Sequence, residues 1–316
     1  MIQVTSVHKT LGSKPVLKDL SFTINPHEIV GFLGPNGAGK TTTMRILTGF
    51  YLPDSGKVEI EGYNLEGQTL EVKKNIGYLP ENNPLWEDLE VAESLELLGN
   101  LHQLSPARIT SQKKNLIERC ALGNVLGKKV QELSKGYRQR LGLALALIHD
   151  PKVLILDEPS TGLDPHQIIE IRSLIKELGK EKTVLLSSHI LPEVQALCSR
   201  VLVLHQGSIV ASGSPEELAH KAQGVLKLKL KIEGNKADIE HSLLQKFPVK
   251  ELKHLSSEEN WHRYEMSVSP FENLGENIFN LVLEKGWKLS ELGFEENSLE
   301  DIFLSLTASP LPLNHL

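Results

Sequence analysis

The stretch Gly34-Pro35-Asn36-Gly37-Ala38-Gly39-Lys40-Thr41 decides the fold of this 316-residue chain. It follows the pattern G-x-x-x-x-G-K-[ST] of a phosphate-binding loop. The apolar run Ile29–Leu33 precedes it, and a segment of helical composition, Thr42–Leu47, follows it. A strand, a glycine-rich turn and a helix in this order predict a loop that holds phosphate with backbone N–H groups and a helix N-terminus.

The residues of this loop have different expected roles. The glycines permit the dihedral angles that turn N–H groups inward, Lys40 supplies a fixed positive charge, and the Thr41 hydroxyl can bind Mg²⁺. A flexible glycine-rich turn without a ligand is the alternative, and the flanking strand and helix argue against it. The predicted phosphate site consists of Gly34, Pro35, Asn36, Gly37, Ala38, Gly39, Lys40, Thr41 and Thr42.

Two adjacent carboxylates follow a second apolar strand, at Asp157 and Glu158. Acids in this position typically serve a divalent cation, and Asp157 suits a partner of Mg²⁺ through water. Glu158 is then placed to orient and deprotonate an attacking water. Taken alone, the pair could equally be a solvated strand end; beside a phosphate loop, it indicates a hydrolytic site.

Bulk properties restrict the class of protein. At 316 residues the chain exceeds one ordinary core, so we expect two domains. The formal net charge of −6 provides no positive field to hold nucleic acid, and we expect no nucleic-acid partner. The two cysteines, Cys120 and Cys198, are far apart, which fits a reducing compartment. No secretory signal is evident at the start, and no apolar run approaches the ~20 residues of a membrane span, so any membrane role requires a partner.

Helical and strand patterns alternate along the first two thirds of the chain. Leu89, Ala92, Leu95, Leu98 and Leu101 recur at three-residue spacing, and a second helical segment covers Ile109–Cys120, so residues 86–133 are predicted to be a helical insertion. The later alternation predicts a mostly parallel sheet covered by helices. Its predicted elements are a helix at 136–148, a strand at 152–156, a helix at 168–178 and a strand at 183–187.

The composition changes near Gly213-Ser214-Pro215, and the rest of the chain predicts a second, α+β domain. Strands near residues 225–232, 249, 264 and 289 alternate with helices near 237–246 and 271–285, the order of a split β-α-β, ferredoxin-like unit. We expect an additional terminal helix at Leu299–Leu306.

One tetrapeptide raises the alternative of a GTP switch. Asn235-Lys236-Ala237-Asp238 matches the N-K-x-D sequence that reads guanine, but it lies in the second domain and no D-x-x-G sequence occurs in the chain. We expect Asn235 to cap a helix instead.

Three further segments give the chain its family resemblance. Leu133-Ser134-Lys135-Gly136-Tyr137-Arg138-Gln139-Arg140 resembles the L-S-G-G-Q signature of ATP-binding-cassette (ABC) ATPases. Ser160-Thr161-Gly162-Leu163-Asp164 is similar to their D-loop, and Ser187-Ser188-His189 to their switch segment. From the residues alone, Ser134 can cap the helix that follows it and offer a hydroxyl to a phosphate.

The resemblance implies a fold and a site. The fold is a P-loop ABC cassette over residues 1–218, with a mostly parallel core sheet, an antiparallel N-terminal β subdomain and a helical subdomain, followed by an accessory domain at 224–316. Glu158 and His189 are the implied catalytic residues. Ser134, Lys135 and Gly136 are expected to bind ATP, and Thr41, Asp157 and Glu81 to serve Mg²⁺.

The resemblance also implies partners. Two copies are expected to pair head to tail, so that the signature of one completes the ATP site of the other. An integral membrane permease is the second expected partner, with this chain on the cytoplasmic face of the membrane. The motifs are most similar to those of exporters with separate permease chains, of the multidrug and gliding-motility-associated type, and imply that ATP hydrolysis drives export.

Three positions depart from the family pattern, and one of them is Lys135, which stands in place of the first signature glycine. Glu81 stands where a glutamine is usual, and Leu11 stands where an aromatic ring usually stacks on adenine. Two other interpretations are open. Glu81 and Leu11 motivate the first, an ATP-gated regulatory or scaffolding module that does not hydrolyse ATP; the second is a soluble ABC ATPase of DNA repair or translation, from the same family. The second would usually have tandem cassettes or long coiled-coil insertions, and neither is evident.

Overall fold

The computed structural model describes residues 1–188, 191–221, 226–269, 271 and 273–295. The chain divides into two compact units, Met1–Pro215 and Glu216–Leu316. The helix α8 (Pro215–Lys221) begins at the division between them.

The first unit contains two sheets and the helices that cover them. Its elements in chain order are β1 (Ile2–Leu11), β2 (Lys14–Ile24), β3 (Ile29–Leu33), α1 (Lys40–Leu47), β4 (Ser55–Ile60), β5 (Tyr63–Asn64), α2 (Thr69–Lys74), β6 (Ile76–Leu79), α3 (Val91–Leu101), α4 (Pro106–Arg119), α5 (Lys135–Leu147), β7 (Val153–Asp157), α6 (Pro165–Gly179), β8 (Thr183–Ser188), α7 (Leu191–Leu197), β9 (Arg200–His205) and β10 (Ser208–Gly213).

The larger sheet places the candidate site. Its order is β10-β9-β3-β8-β7-β6, and all neighbours are parallel except β10, which is antiparallel to β9. Every residue of β7 and β8 is buried, as expected for strands covered on both faces. Because parallel strands end at one edge, the segments after β3, β6, β7 and β8 come together there.

A smaller antiparallel sheet of order β2-β1-β4-β5 contributes to the same apolar core. Together with the parallel sheet and the helices, it confirms the predicted α/β class with an antiparallel N-terminal part. In the described part of the chain, no helix combines the length and the apolar character needed to cross a bilayer.

The predicted insertion is helical, but two of its details were wrong. Leu89 precedes α3, and Leu101 is 62% exposed, whereas the buried face of α3 contains Val91, Leu95 and Gly99. Steps of three residues fall short of a full turn of about 3.6, so five such positions drift off one face. The helix α4 begins at Pro106 rather than residue 109, because Ser105 caps it by accepting a hydrogen bond from the Arg108 N–H.

After α8, the described part of the second unit is a four-stranded sheet with two helices, and its strand order is that of the predicted split β-α-β fold. Its elements are β11 (Leu226–Glu233), α9 (Lys236–Lys246), β12 (Val249–Glu258), β13 (Trp261–Val268), α10 (Leu274–Glu284) and β14 (Lys288–Glu295). The order β12-β13-β11-β14 is antiparallel throughout. Asn235 caps α9, as expected, with its side chain accepting from the Asp238 N–H. The predicted helix Leu299–Leu306 lies outside the described residues.

Candidate active site

The phosphate loop connects β3 to α1 in a conformation that requires glycine. Gly39, directly before α1, has φ of 113°, a value that residues with a Cβ atom rarely adopt. A Cβ atom on Gly34 would lie 2.5 Å from the Leu204 carbonyl oxygen of β9. The glycines therefore allow the loop to approach the sheet and to turn back into the helix.

Lys40 lies across this loop and is only 7% exposed. Its Nζ donates hydrogen bonds to the carbonyl oxygens of Gly34, at 2.6 Å, and Pro35, at 3.4 Å. Burial lowers the pKa of Lys40, while the charges of Glu158, Asp157 and Glu81 act in the opposite direction. The ammonium thus experiences the negative charge of three carboxylates, and two loop carbonyls hold it where the loop would surround a phosphate.

A cavity of about 260 Å³ opens above the loop. It is lined by Val16, Pro35, Asn36, Gly37, Gly39, Lys40, Thr41, Thr42, Glu81 and Glu158. Most predicted phosphate-site residues therefore face one space, together with two of the predicted acids. Val16 of β2 was missed, and no sequence motif marks it; Leu11, the expected adenine-stacking position, is not in the lining.

Asp157 and Glu158 are fixed by one serine at the end of β8. The Ser187 hydroxyl donates to Asp157 Oδ1 at 2.6 Å and accepts from the Glu158 N–H at 2.9 Å. Asp157 is buried behind the cavity, and Glu158 has a positive φ of 50° at the strand end. This unusual backbone conformation, bonded on its N–H, presents the Glu158 carboxylate to the cavity.

The oxygen donors around the cavity suit a hard cation. Within the described residues, no group of three or more His, Cys, Asp or Glu side chains forms a ready-made metal site. Mg²⁺ bound with a nucleotide takes only one or two protein ligands and completes its shell with phosphates and water. The Thr41 hydroxyl and the carboxylates of Glu81, Asp157 and Glu158 therefore fit Mg²⁺ that arrives with a nucleotide.

The signature residues lie on a different part of the first unit. Ser134 caps α5, accepting from the Tyr137 N–H at 3.5 Å, as predicted, and both Ser134 and Lys135 are exposed. Gly136 is buried against the Gln167 side chain of α6. None of Ser134, Lys135 and Gly136, all of them described, lines the cavity. The fold of one chain thus does not bring the signature to its own phosphate loop.

One buried carboxylate near the site was missed from sequence. Glu193 of α7 accepts hydrogen bonds from the Ser160 hydroxyl and, at 2.7 Å, from the Ser188 hydroxyl. Its one signal in the sequence is an acid beside the apolar positions Val194 and Leu197. The predicted catalytic residue His189 lies outside the described residues.

Comparisons with known proteins agree with this geometry. Residues 17–161 match the family described as "ABC transporter". A Nod factor export ATP-binding protein I of Rhizobium etli is 38% identical over 71% of each chain. The linearmycin resistance ATP-binding protein of Bacillus subtilis is 29% identical over 98% of this chain and 99% of its own.

A solved structure extends the similarity to the fold. It is a dimeric ATP-binding cassette in a post-hydrolysis state, bound to ADP and Pi, and it superposes with a TM-score of 0.62 and 25% identity over 68% of this chain and 98% of its own. The predicted family and fold are confirmed. The chain belongs to the ABC transporter family, as an ATP-binding subunit that hydrolyses ATP to power transport.

Proposed function

We propose that two copies of this chain hold two ATP molecules between them, each on the phosphate loop of one copy and the signature segment of the other. The observation that carries this proposal is the separation of the two motifs. The cavity above Lys40 collects one set of ligands, while Ser134 and Lys135 stand exposed elsewhere on the unit. The N-terminus of α5 is exposed in one chain, and a helix N-terminus suits the phosphates of a nucleotide that a neighbouring chain holds.

Within one such site, the loop binds the phosphates and the acids act on water. The backbone N–H groups of residues 34–42 and the Lys40 ammonium neutralise phosphate charge as the bond to the γ-phosphate breaks. The Glu158 carboxylate orients the attacking water and accepts its proton, and the products are ADP and phosphate. His189 is assigned to the γ-phosphate on its position in the sequence alone.

Mg²⁺ would be held by the Thr41 hydroxyl, with Asp157 acting through water, and would draw charge from the phosphate oxygens when bound. Glu81 lines the same cavity with a carboxylate where an amide is usual, and we assign it to the same cation. Compared with an amide, its carboxylate offers a divalent ion a second oxygen donor and a negative charge.

We propose that a separate permease docks on the helical side of the first unit. An open cleft of about 580 Å³ lies beside β6, α3 and α5, and its lining is mostly apolar. It includes Tyr78, Leu85 and Trp86, and Trp86 is exposed. Exposed aromatic side chains around an apolar cleft are typical of a protein-protein contact.

The relatives supply the direction of transport and the location. One is named for Nod factor export, and another for linearmycin resistance. We therefore propose export through the permease, with this chain on the cytoplasmic face of the membrane. Residues 224–316 are proposed as an accessory regulatory domain that contributes no catalytic residue.

Glu158→Gln tests the assigned base. Loss of a general base typically costs a factor of ~100 to 10,000, so phosphate release should fall by at least ~100-fold while ATP still binds. The matched control is Glu284→Gln, an exposed acid of the second unit paired with Lys246, which should keep the wild-type rate. Equal rates for Glu158→Gln and wild type would refute the assignment.

A further inference from the structure

The buried carboxylate of Glu193 joins two segments that flank the reacting acids. It is 1% exposed, and its partners Ser160 and Ser188 are equally enclosed. Ser160 Oγ donates to Glu193 Oε1, and Ser188 Oγ donates to Glu193 Oε2 at 2.7 Å. Each carboxylate oxygen therefore binds a different segment of the chain.

The bridge from Ser160 through Glu193 to Ser188 should be hard to break, because its central carboxylate is buried. An ionised carboxylate away from water is costly unless it is paired or hydrogen-bonded, and hydrogen bonds from hydroxyls to a carboxylate are short and strong. Among the described residues, no basic side chain forms an ion pair with Glu193, and the side-chain hydrogen bonds that it accepts there come from the two serine hydroxyls. If either serine moves away, Glu193 loses one of the two side-chain hydrogen bonds that it accepts from described residues.

The bridge acts on the positions of the catalytic groups through short stretches of chain. Ser160 follows Glu158 by two residues. Ser188 follows Ser187, whose hydroxyl bonds both to Asp157 and to the Glu158 N–H. Glu193 thus holds the chain on both sides of the pair that we assign to the metal and the base.

The helix that carries Glu193 is itself placed by the strand leading to the phosphate loop. The helix α7 packs against β3 where Gly31 has no side chain. A Cβ atom there would lie 2.6 Å from Val194 Cγ1 and 2.9 Å from Cys198 Sγ. This close approach sets the position of Glu193 relative to β3, and hence to the loop that begins after it.

We propose that Glu193 is a positioning residue for ATP hydrolysis, which sets the Glu158 carboxylate against the nucleotide by joining Ser160 to Ser188. The proposal rests on the role of Glu158 given above. Glu193 lies outside the cavity lining and does not contact the nucleotide site directly. Its loss should therefore change turnover and leave nucleotide binding nearly unchanged.

The test is steady-state ATP hydrolysis by the full-length Glu193→Ala, Glu193→Gln and Ser160→Ala chains. A misplacement of about 1 Å can cost ~100-fold in rate, so Glu193→Ala should lower kcat by ~10- to 100-fold and change KM for ATP by less than about twofold. Glu193→Gln keeps the shape and one acceptor oxygen and should recover part of the loss. The double variant with Ser160→Ala should be little worse than Glu193→Ala, because both remove one bridge.

The control for simple loss of stability is Leu197→Ala, a buried apolar residue of the same helix. It should lower Tm at least as much as Glu193→Ala while kcat below the unfolding range stays at the wild-type value. An unchanged kcat in Glu193→Ala, or an equal loss of kcat in Leu197→Ala, would overturn the proposal. If Glu158→Gln still abolishes turnover in that case, only the positioning role fails; if Glu158→Gln is fully active, the proposed base fails with it.

Discussion

The two units of the chain differ in whether they bury charged side chains. The first unit buries charged side chains, including Lys40, Asp157, Glu158, Lys182 and Glu193. In the described part of the second unit, no Asp, Glu, Lys or Arg is buried, and the core is formed by side chains such as those of β11, β13 and α10. Burying a charged group costs stability unless the group is paired or hydrogen-bonded. The buried charges of the first unit therefore indicate a functional site, whereas the core of the second unit serves packing.

Among the substitutions that test this contrast, Lys40→Met should have the largest effect, on both turnover and ATP affinity. Loss of a preorganised positive group at a phosphate typically costs ~100- to 1,000-fold in turnover, and we expect ATP affinity to fall as well. The measurements are ATP hydrolysis and binding of a non-hydrolysable ATP analogue.

The chain offers a matched control in Lys182, which is equally buried. Its Nζ donates to Asp150 at 2.7 Å and to the Pro151 carbonyl oxygen at 2.8 Å, away from the cavity. Lys182→Met should lower Tm and leave ATP affinity unchanged. Equal loss of ATP binding in the two variants would contradict the assignment of Lys40, because burial rather than position would then decide the effect.

An intermediate effect, on the pH dependence of stability, is expected from His149 of the first unit. Burial, with smaller contributions from His102 and Lys182, lowers its pKa to about 4, against opposing contributions from the Ile76 carbonyl and Asp150. Above pH ~7 both folded and unfolded chains hold this ring neutral. As the pH falls toward 4, the unfolded chain takes up a proton that the folded chain does not, so the free energy of unfolding should decrease and level off below that value.

The expected loss is about 1–2 kcal/mol, after discounting for the partial exposure of the ring. His149→Phe keeps a ring stacked on His102, 3.9 Å away between centroids, and removes the titrating group. Its Tm should therefore change less between pH 7 and 5 than that of the wild type. His166→Gln, at an exposed histidine, should leave the slope unchanged; a wild-type slope in His149→Phe would refute this account.

The smallest expected effect belongs to the second unit. Tyr264 belongs to the apolar core of this unit, and its hydroxyl is buried and has no hydrogen-bond partner within the described residues. A buried polar atom left unbonded costs stability, so Tyr264→Phe should raise the free energy of unfolding by ~0.5–1 kcal/mol, or a few degrees in Tm. A lower Tm measured by calorimetry would show that the hydroxyl is bonded and that this core is less apolar than the contrast implies.

Sequence reasoning succeeded where the chemistry is local. The strand, turn and helix around the phosphate loop, the acids at the end of β7 and the caps at Ser134 and Asn235 have local geometry that depends on neighbouring residues, and this geometry is as predicted; the chemical roles stay predictions. The strand alternation also predicted a mostly parallel sheet, because buried strands read as apolar runs.

Sequence reasoning failed where contacts join segments that are distant along the chain. Ser160, Ser188 and Glu193 meet only because α7 packs on β3, and no motif spacing encodes that contact. Val16 reaches the cavity from the antiparallel sheet, so its place depends on how the two sheets pack. Such positions follow from tertiary structure rather than from local propensity.

The shared ATP site is the central claim, and mixing two inactive variants tests it most directly. Lys40→Met damages only the phosphate loop, and Ser134→Arg damages only the exposed signature. Each alone should hydrolyse ATP poorly, but an equimolar mixture should recover about a quarter of the wild-type rate, because half of the twofold dimers would be mixed and hold one intact site. A wild-type rate in Ser134→Arg alone, or no recovery on mixing, would contradict the account.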